Sequence, residues 1–250
     1  MRNTITALLI ICCVTAAPPA LAVEADGATL ANDEVAYHWA PAQQGGGLIG
    51  IEDRGQPAGL LAPTTPAAAW WQVKLKDGRT IANTDLPCQV DSQAETLTFT
   101  WTGDIRVTVV ARLGADERLL KARIRVDTVT EGAGLRDVVF PVIDGIRPLA
   151  ENAADDRVLF TFRTGFTRPS PLVTGEPLKM LYCIEYNMQL AALMGGGRGL
   201  YFGDHDPTAA WKGFSWTPDA DTQTLSYAVS HPVLDWGGDE PVTHYESPGD

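Results

Sequence analysis

The densest group of polar side chains that could bind a ligand lies at residues 203–207, which read Gly-Asp-His-Asp-Pro. Asp204, His205 and Asp206 follow an apolar run, so they are expected where a strand meets a loop. Their imidazole and carboxylate groups could hydrogen-bond the hydroxyl groups of a sugar or contact a neighbouring domain. An aspartate before a proline is also common in turns, and the segment therefore favours a structural role over either kind of contact.

Two tryptophans form a second candidate feature. A flat ring can stack on the apolar face of a sugar, and Trp211 and Trp216 lie just after the polar cluster. A single tryptophan is more often a partly buried core residue, and both roles stay open here.

Metal and catalytic motifs are weak in this sequence. Asp204 and Asp206 could help to hold Ca²⁺, but two carboxylates are few for a calcium site. No spacing of cysteine and histidine predicts a zinc site, and no nucleophile motif is present. We therefore assign no catalytic residue and predict no cofactor beyond that weak calcium signal.

The amino terminus has the three-part layout of a secretory signal peptide. A positive start at Arg2 precedes an apolar run over residues 5–14 and a small-residue site, Ala-Leu-Ala, at residues 20–22. The apolar run is too short to cross a bilayer, which takes about 20 residues. We predict a signal peptide over residues 1–22 and a secreted or periplasmic protein without a membrane span.

Cleavage after Ala22 would leave two cysteines, Cys88 and Cys183. In an oxidising compartment they could form a disulfide. A domain of this size can build its own core, so two free buried thiols are an equally good interpretation.

Apolar and polar residues alternate along most of the chain. The clearest runs are residues 96–102 and 105–111, which a Gly-Asp turn joins as a hairpin. About a dozen strands and few helices predict an all-β fold, and the alternation indicates antiparallel sheets with one wet face. The expected architecture is one large antiparallel two-sheet β-sandwich over residues 23–250.

Two stretches resemble a known family. Residues 29–35 (Thr-Leu-Ala-Asn-Asp-Glu-Val) and 45–53 (Gly-Gly-Gly-Leu-Ile-Gly-Ile-Glu-Asp) are similar to the opening hairpin of the galactose-mutarotase-like β-supersandwich. Residues 188–193 (Met-Gln-Leu-Ala-Ala-Leu), residues 199–207 (Gly-Leu-Tyr-Phe-Gly-Asp-His-Asp-Pro) and Lys212 resemble a segment of supersandwich domains in large secreted glycoside hydrolases. The second likeness is the more specific one.

In those enzymes the sandwich precedes a (β/α)₈ barrel, and the barrel carries the catalytic carboxylates. The resemblance therefore implies that residues 23–250 are a non-catalytic amino-terminal module of a secreted glycoside-hydrolase-like protein. Its expected partners are glycan or a downstream barrel, which would need roughly 200 further residues.

Two alternatives remain. The chain could be a stand-alone lectin-like protein that binds carbohydrate. It resembles an aldose epimerase less well, because none of its four histidines has the sequence context of a mutarotase catalytic residue. Lys and Arg number 19 against 31 Asp and Glu, and the net charge of −12 argues against nucleic acid as a partner.

Overall fold

The computed structural model describes residues 20–24, 27–56, 59–63, 68–162, 165–233 and 240–248. Regular structure in these residues is almost entirely β-strand. The helices are three single turns of 3₁₀ helix and one short α-helix, at Ala42–Gln44, Asn83–Asp85, Ala153–Asp155 and Pro171–Thr174 (α1). The prediction of an all-β fold with few helices is confirmed.

The strands form four antiparallel sheets. The first sheet contains, in spatial order, β1 (Ala20–Glu24), β2 (Gly27–Ala31), β3 (Val35–Trp39) and β4 (Leu48–Asp53). The second contains β19 (His244–Glu246), β10 (Lys121–Thr128), β9 (Ile105–Arg112), β8 (Thr96–Thr102) and β7 (Cys88–Gln93). The predicted hairpin over residues 96–111 is the β8–β9 pair, whose strands run Thr96 opposite Arg112 to Thr102 opposite Arg106.

The other two sheets carry the candidate site. The third contains β14 (Leu178–Tyr182), β17 (Lys212–Asp219), β18 (Thr224–Pro232), β11 (Leu135–Ile146), β5 (Gln72–Leu75) and β6 (Thr80–Ala82). The fourth contains β13 (Phe166–Pro169), β12 (Arg157–Phe160), β15 (Leu190–Gly195) and β16 (Arg198–Gly203).

The prediction of a two-sheet β-sandwich, or supersandwich, is wrong. Four small sheets replace two continuous layers, and this division corresponds to a four-bladed, propeller-like arrangement. The strands of the third sheet are the most widely scattered along the sequence, because they lie at positions between residues 72 and 232. Alternation along a strand shows which face is buried, but it does not show which strands share a sheet.

All four sheets contribute to a common apolar core. Leu30, Phe99, Val73 and Leu193 come from the first, second, third and fourth sheets respectively, and each is fully buried. The largest side chains of this core include Trp39, Trp71 and Trp101, which are at most 1% exposed. The alternation of apolar and polar residues places all three on inward faces. Large aromatic side chains dominate the apolar area that such a core removes from water.

The described residues contain no helix that is long and apolar enough to cross a membrane. Residues 1–19, which form most of the predicted signal peptide, lie outside the described part of the chain. The predicted cleavage point after Ala22 falls within β1.

Candidate functional site

A buried ammonium group ties the polar segment 203–207 to the third sheet. Lys212 begins β17 and is only 1% exposed. Its Nζ donates to Asp204 Oδ2 at 2.8 Å, Asp206 Oδ2 at 2.9 Å and Gln189 Oε1 at 2.6 Å. An ammonium has three protons to donate, so these three bonds satisfy it. Two carboxylates around one buried cation also offset the cost of removing its charge from water.

Asp206 organises the loop between β16 and β17. Its carboxylate accepts hydrogen bonds from the backbone N–H of Thr208 at 2.7 Å, the Thr208 hydroxyl at 2.6 Å and the Ala210 N–H at 2.9 Å. Burial raises the pKa of this carboxyl, but the bonds from Thr208, Lys212 and Ala210 outweigh it and lower the pKa to about 2. Asp206 is therefore ionised at neutral pH, and its negative charge holds the loop together.

His231 stands beside this network on β18. Its Nε2 lies 2.9 Å from the carbonyl oxygen of Phe140, and a carbonyl can only accept a hydrogen bond, so Nε2 carries the proton. Burial lowers the pKa of His231, which keeps the ring neutral at pH 7. Nδ1 is then an acceptor, and it lies 3.9 Å from Asp204 Oδ2.

A cleft of about 550 Å³ opens over these residues. Most of its lining is apolar, and Phe140, Phe202 and Tyr227 supply aromatic rings. Asp204 and His231 add polar groups to the lining. Phe202 and Tyr227 are stacked with ring centroids 4.1 Å apart, so one wall consists of packed aromatic side chains.

The structure brings together only some of the residues that the sequence singles out. Asp204 and Asp206 meet at Lys212, and the exposed His205 lines the cleft. Trp211 precedes Lys212 and is 47% exposed, but it is not part of the cleft lining. Trp216 is only 1% exposed and presents no ring at the surface.

Trp216 instead supports the cleft from behind. Its ring packs 5.6 Å from Phe202 and 4.8 Å from Tyr227, measured between centroids. Both of those residues line the cleft, so Trp216 supports the cleft wall without lining the cleft itself.

The weak calcium prediction at Asp204 and Asp206 stays a prediction. The Lys212 ammonium already lies where a cation shared by the two carboxylates would bind. Within the described ranges, no group of three His, Cys, Asp or Glu residues is arranged to hold a metal ion. A Ca²⁺ ion prefers several more oxygen ligands than this loop offers.

Cys88 and Cys183 are both free cysteines in this structure. Cys88 is half-buried, and burial raises the pKa of its thiol to about 12. Cys183 is exposed. The choice between a disulfide and two free buried thiols stays a prediction, and of the two side chains only Cys88 is substantially buried.

Sequence reasoning missed two members of the site. The sequence assigns no role to His231, and it includes Gln189 only in the segment 188–193 that resembles supersandwich domains. His231 reaches the loop from β18 and Gln189 from just before β15, and no local sequence pattern indicates that these side chains meet. Lys212 carried a usable signal, because it shares the inward period of Phe214 and Trp216.

Comparison with known proteins gives a likeness of fold. The chain is similar to an α-N-acetylgalactosaminidase, NagBb, from Bifidobacterium bifidum, whose structure was solved in complex with GalNAc. The TM-score is 0.57 at 10% sequence identity, and the match covers 82% of this chain. It covers only 33% of the neighbour, so the chain spans about a third of that protein's length. No family model matches the chain, and a search of curated proteins finds no match.

These findings bear on the family resemblance only in part. They support an all-β fold like that of part of a glycoside hydrolase chain, and at 10% identity the likeness is one of fold alone. They do not show a mutarotase-like fold, and the four-sheet arrangement differs from the predicted supersandwich.

Replacing Asp206 by asparagine should destabilise the protein by about 2–4 kcal/mol, because the buried Lys212 ammonium loses one of its two anionic partners. Urea unfolding at pH 7 measures this loss. Asp91→Asn is the control, since Asp91 is an exposed strand residue and its change should stay within about 0.5 kcal/mol. Equal losses of unfolding free energy in the two variants at pH 7 would contradict the structural role of Asp206.

The difference between wild type and Asp206→Asn should also depend on pH. The folded pKa of about 2 lies below the ordinary value of 3.8, so the carboxylate stabilises the fold above pH 4. That contribution is lost as the pH falls from about 4 towards 2. Urea unfolding at pH 7, 4 and 3 should show the difference in unfolding free energy between the two proteins becoming smaller at the lowest pH.

His231 should make folding stability fall as the pH drops from 7 to 5. Its pKa is lower in the folded than in the unfolded chain, so unfolding takes up a proton below about pH 6.5 and becomes easier. His231→Gln should have a shallower pH dependence over this range than wild type. His205→Gln, which removes an exposed imidazole from the loop beside the network, serves as the control for the loss of a histidine. Equal slopes in wild type and His231→Gln would refute the assignment, whatever the absolute stability of the variant.

Proposed function

We propose that this chain is a non-catalytic accessory domain of a secreted, glycoside-hydrolase-like protein, and that it contacts glycan or a catalytic barrel domain. The observation that carries the proposal is the likeness of fold to a third of a glycosidase chain. The signal-peptide-like amino terminus supports export, to the periplasm or beyond the cell.

The chemistry of the cleft favours an accessory role over hydrolysis. Most glycoside hydrolases use two carboxyl groups, one as an acid and the other as a base or nucleophile. Among the described residues that line the cleft, Asp204 is the only aspartate or glutamate. Its Oδ2 accepts a hydrogen bond from Lys212, and the neighbouring His231 Nδ1 is also an acceptor. Two adjacent acceptors suit the recognition of hydroxyl groups better than acid–base catalysis.

The purified full chain should not hydrolyse any member of a broad panel of p-nitrophenyl glycosides. Release of nitrophenol would be followed at pH 5 to 8, with Asp204→Asn run in parallel to expose a contaminating enzyme. Turnover by the wild type that disappears in Asp204→Asn would overturn the non-catalytic proposal. Release by both proteins that persists through further purification would overturn the proposal as well, whereas release that purification removes comes from a contaminating enzyme.

A stand-alone carbohydrate-binding protein is the second candidate, and the exposure of Trp211 favours it. Almost half of this side chain is accessible to solvent, and it lies next in sequence to Lys212. If its ring stacks on a sugar, binding on a glycan array should fall at least tenfold in Trp211→Ala. Ile184→Ala is the control, because Ile184 is 62% exposed but is aliphatic. Trp216→Ala is unsuitable, since it would remove a core residue.

A further inference from the structure

We propose that the cleft binds a neutral glycoside that carries an apolar substituent, with the aromatic or alkyl group against the walls and sugar hydroxyl groups at Asp204 and His231. This inference rests on the proposed carbohydrate-related function. It adds the chemical class of the ligand, and it says which part of the cleft the sugar and the apolar substituent would each occupy.

The size and lining of the cleft match a small amphiphilic molecule. Its volume of about 550 Å³ lies within the range of about 300–1,000 Å³ that is common for small-ligand sites. Such sites are mostly apolar with a few polar groups that orient the ligand. Leu48, Ile51 and Leu200 provide aliphatic surface here, beside the aromatic rings of Phe140, Phe202 and Tyr227.

The aromatic wall is held in place from behind. Trp216 contacts the stacked pair of Phe202 and Tyr227, and all three rings belong to strands or strand ends of two sheets. A rigid wall costs little conformational entropy when a ligand binds against it. Flat or extended apolar groups gain most from such a surface, because burial of their area drives the association.

The polar part of the lining selects a hydroxylated head group without charge. The lone pair of His231 Nδ1 and the carboxylate of Asp204 both accept hydrogen bonds, and a sugar hydroxyl can donate to either. Their separation of 3.9 Å permits neighbouring hydroxyl groups of one ring to engage both. A carboxylate or phosphate head would face the Asp204 anion, and the chain carries a net charge of −12.

Two basic residues also line the cleft and make an anionic ligand the competing possibility. Lys121 is paired with Glu117, whose Oε1 lies 2.6 Å from its Nζ, and it is exposed to solvent. Arg123 lies two residues further along β10 and is likewise exposed. Both are surface groups, whereas the less exposed polar groups of the lining, Asp204 and His231, are acceptors, so the neutral ligand is favoured.

Isothermal titration calorimetry of the purified chain with three matched probes tests the proposal. The probes are benzyl hexosides, the methyl hexosides of the same sugars, and benzyl alcohol. We expect at least one benzyl hexoside to bind tenfold or more tightly than both its methyl counterpart and benzyl alcohol. The first difference reports the apolar wall, and the second reports the hydroxyl-binding groups.

Variants locate the binding in the cleft. Leu119 lines the cleft and is 48% exposed, so Leu119→Asp places a charge there without disturbing the core and should weaken the benzyl hexoside at least tenfold. Val173→Asp is the matched control, because Val173 is 50% exposed on α1 and is not part of the lining. Asp204→Asn should reduce affinity for the hexoside while leaving that for benzyl alcohol unchanged.

Equal binding of methyl and benzyl hexosides would overturn this inference and leave the carbohydrate-related role intact. Hexanoate, titrated in parallel, is the anionic comparison. Benzyl alcohol binding as tightly as the benzyl hexoside, or hexanoate binding more tightly, would overturn the inference because the neutral sugar head group would then contribute nothing. Failure of every probe to bind would overturn it as well. The accessory-domain proposal would then be judged by the hydrolysis assay, which does not require any of these probes to bind.

Discussion

The site depends on one buried cation and the oxygen atoms around it. Lys212 lies in the interior with 1% of its surface exposed, and an isolated ammonium group could not remain charged there. Asp204, Asp206 and Gln189 supply three acceptors within 2.9 Å, so the charge is matched and hydrogen-bonded. Because these acceptors come from the β16–β17 loop and from just before β15, the cation joins the third sheet to the fourth.

The consequences of that contact reach the cleft. The loop that Asp206 stabilises also carries Asp204 and His205, both of which line the opening. The two strands that flank the loop hold the wall: β16 contains Phe202, and β17 contains Trp216 behind it. A polar network and an apolar surface are thus built from the same stretch of chain. This arrangement suits the recognition of a ligand with one hydroxylated and one apolar part.

The sequence predicts the local features of this protein well and the long-range ones poorly. Residues 97–101 and 105–111 alternate cleanly, and the β8–β9 hairpin follows from that pattern. Trp216 is a candidate for sugar stacking in the sequence because it follows the polar cluster, but its two-residue spacing from Phe214 favours the buried role. The division into four sheets could not be deduced, since β11 pairs with β5 and β18, which are far from it and from each other in sequence. His231 reaches the site through that same sheet.

Hydrogen–deuterium exchange on Lys212→Met tests the central role of the buried cation most directly. Methionine keeps much of the apolar stem but removes the charge, so the carboxylates of Asp204 and Asp206 lose their shared partner. We predict faster exchange of the backbone amides of Asp204, Thr208 and Ala210 than in wild type, with strands β8 and β9 protected as before. Unchanged protection of the 204–210 loop in the variant would contradict the account.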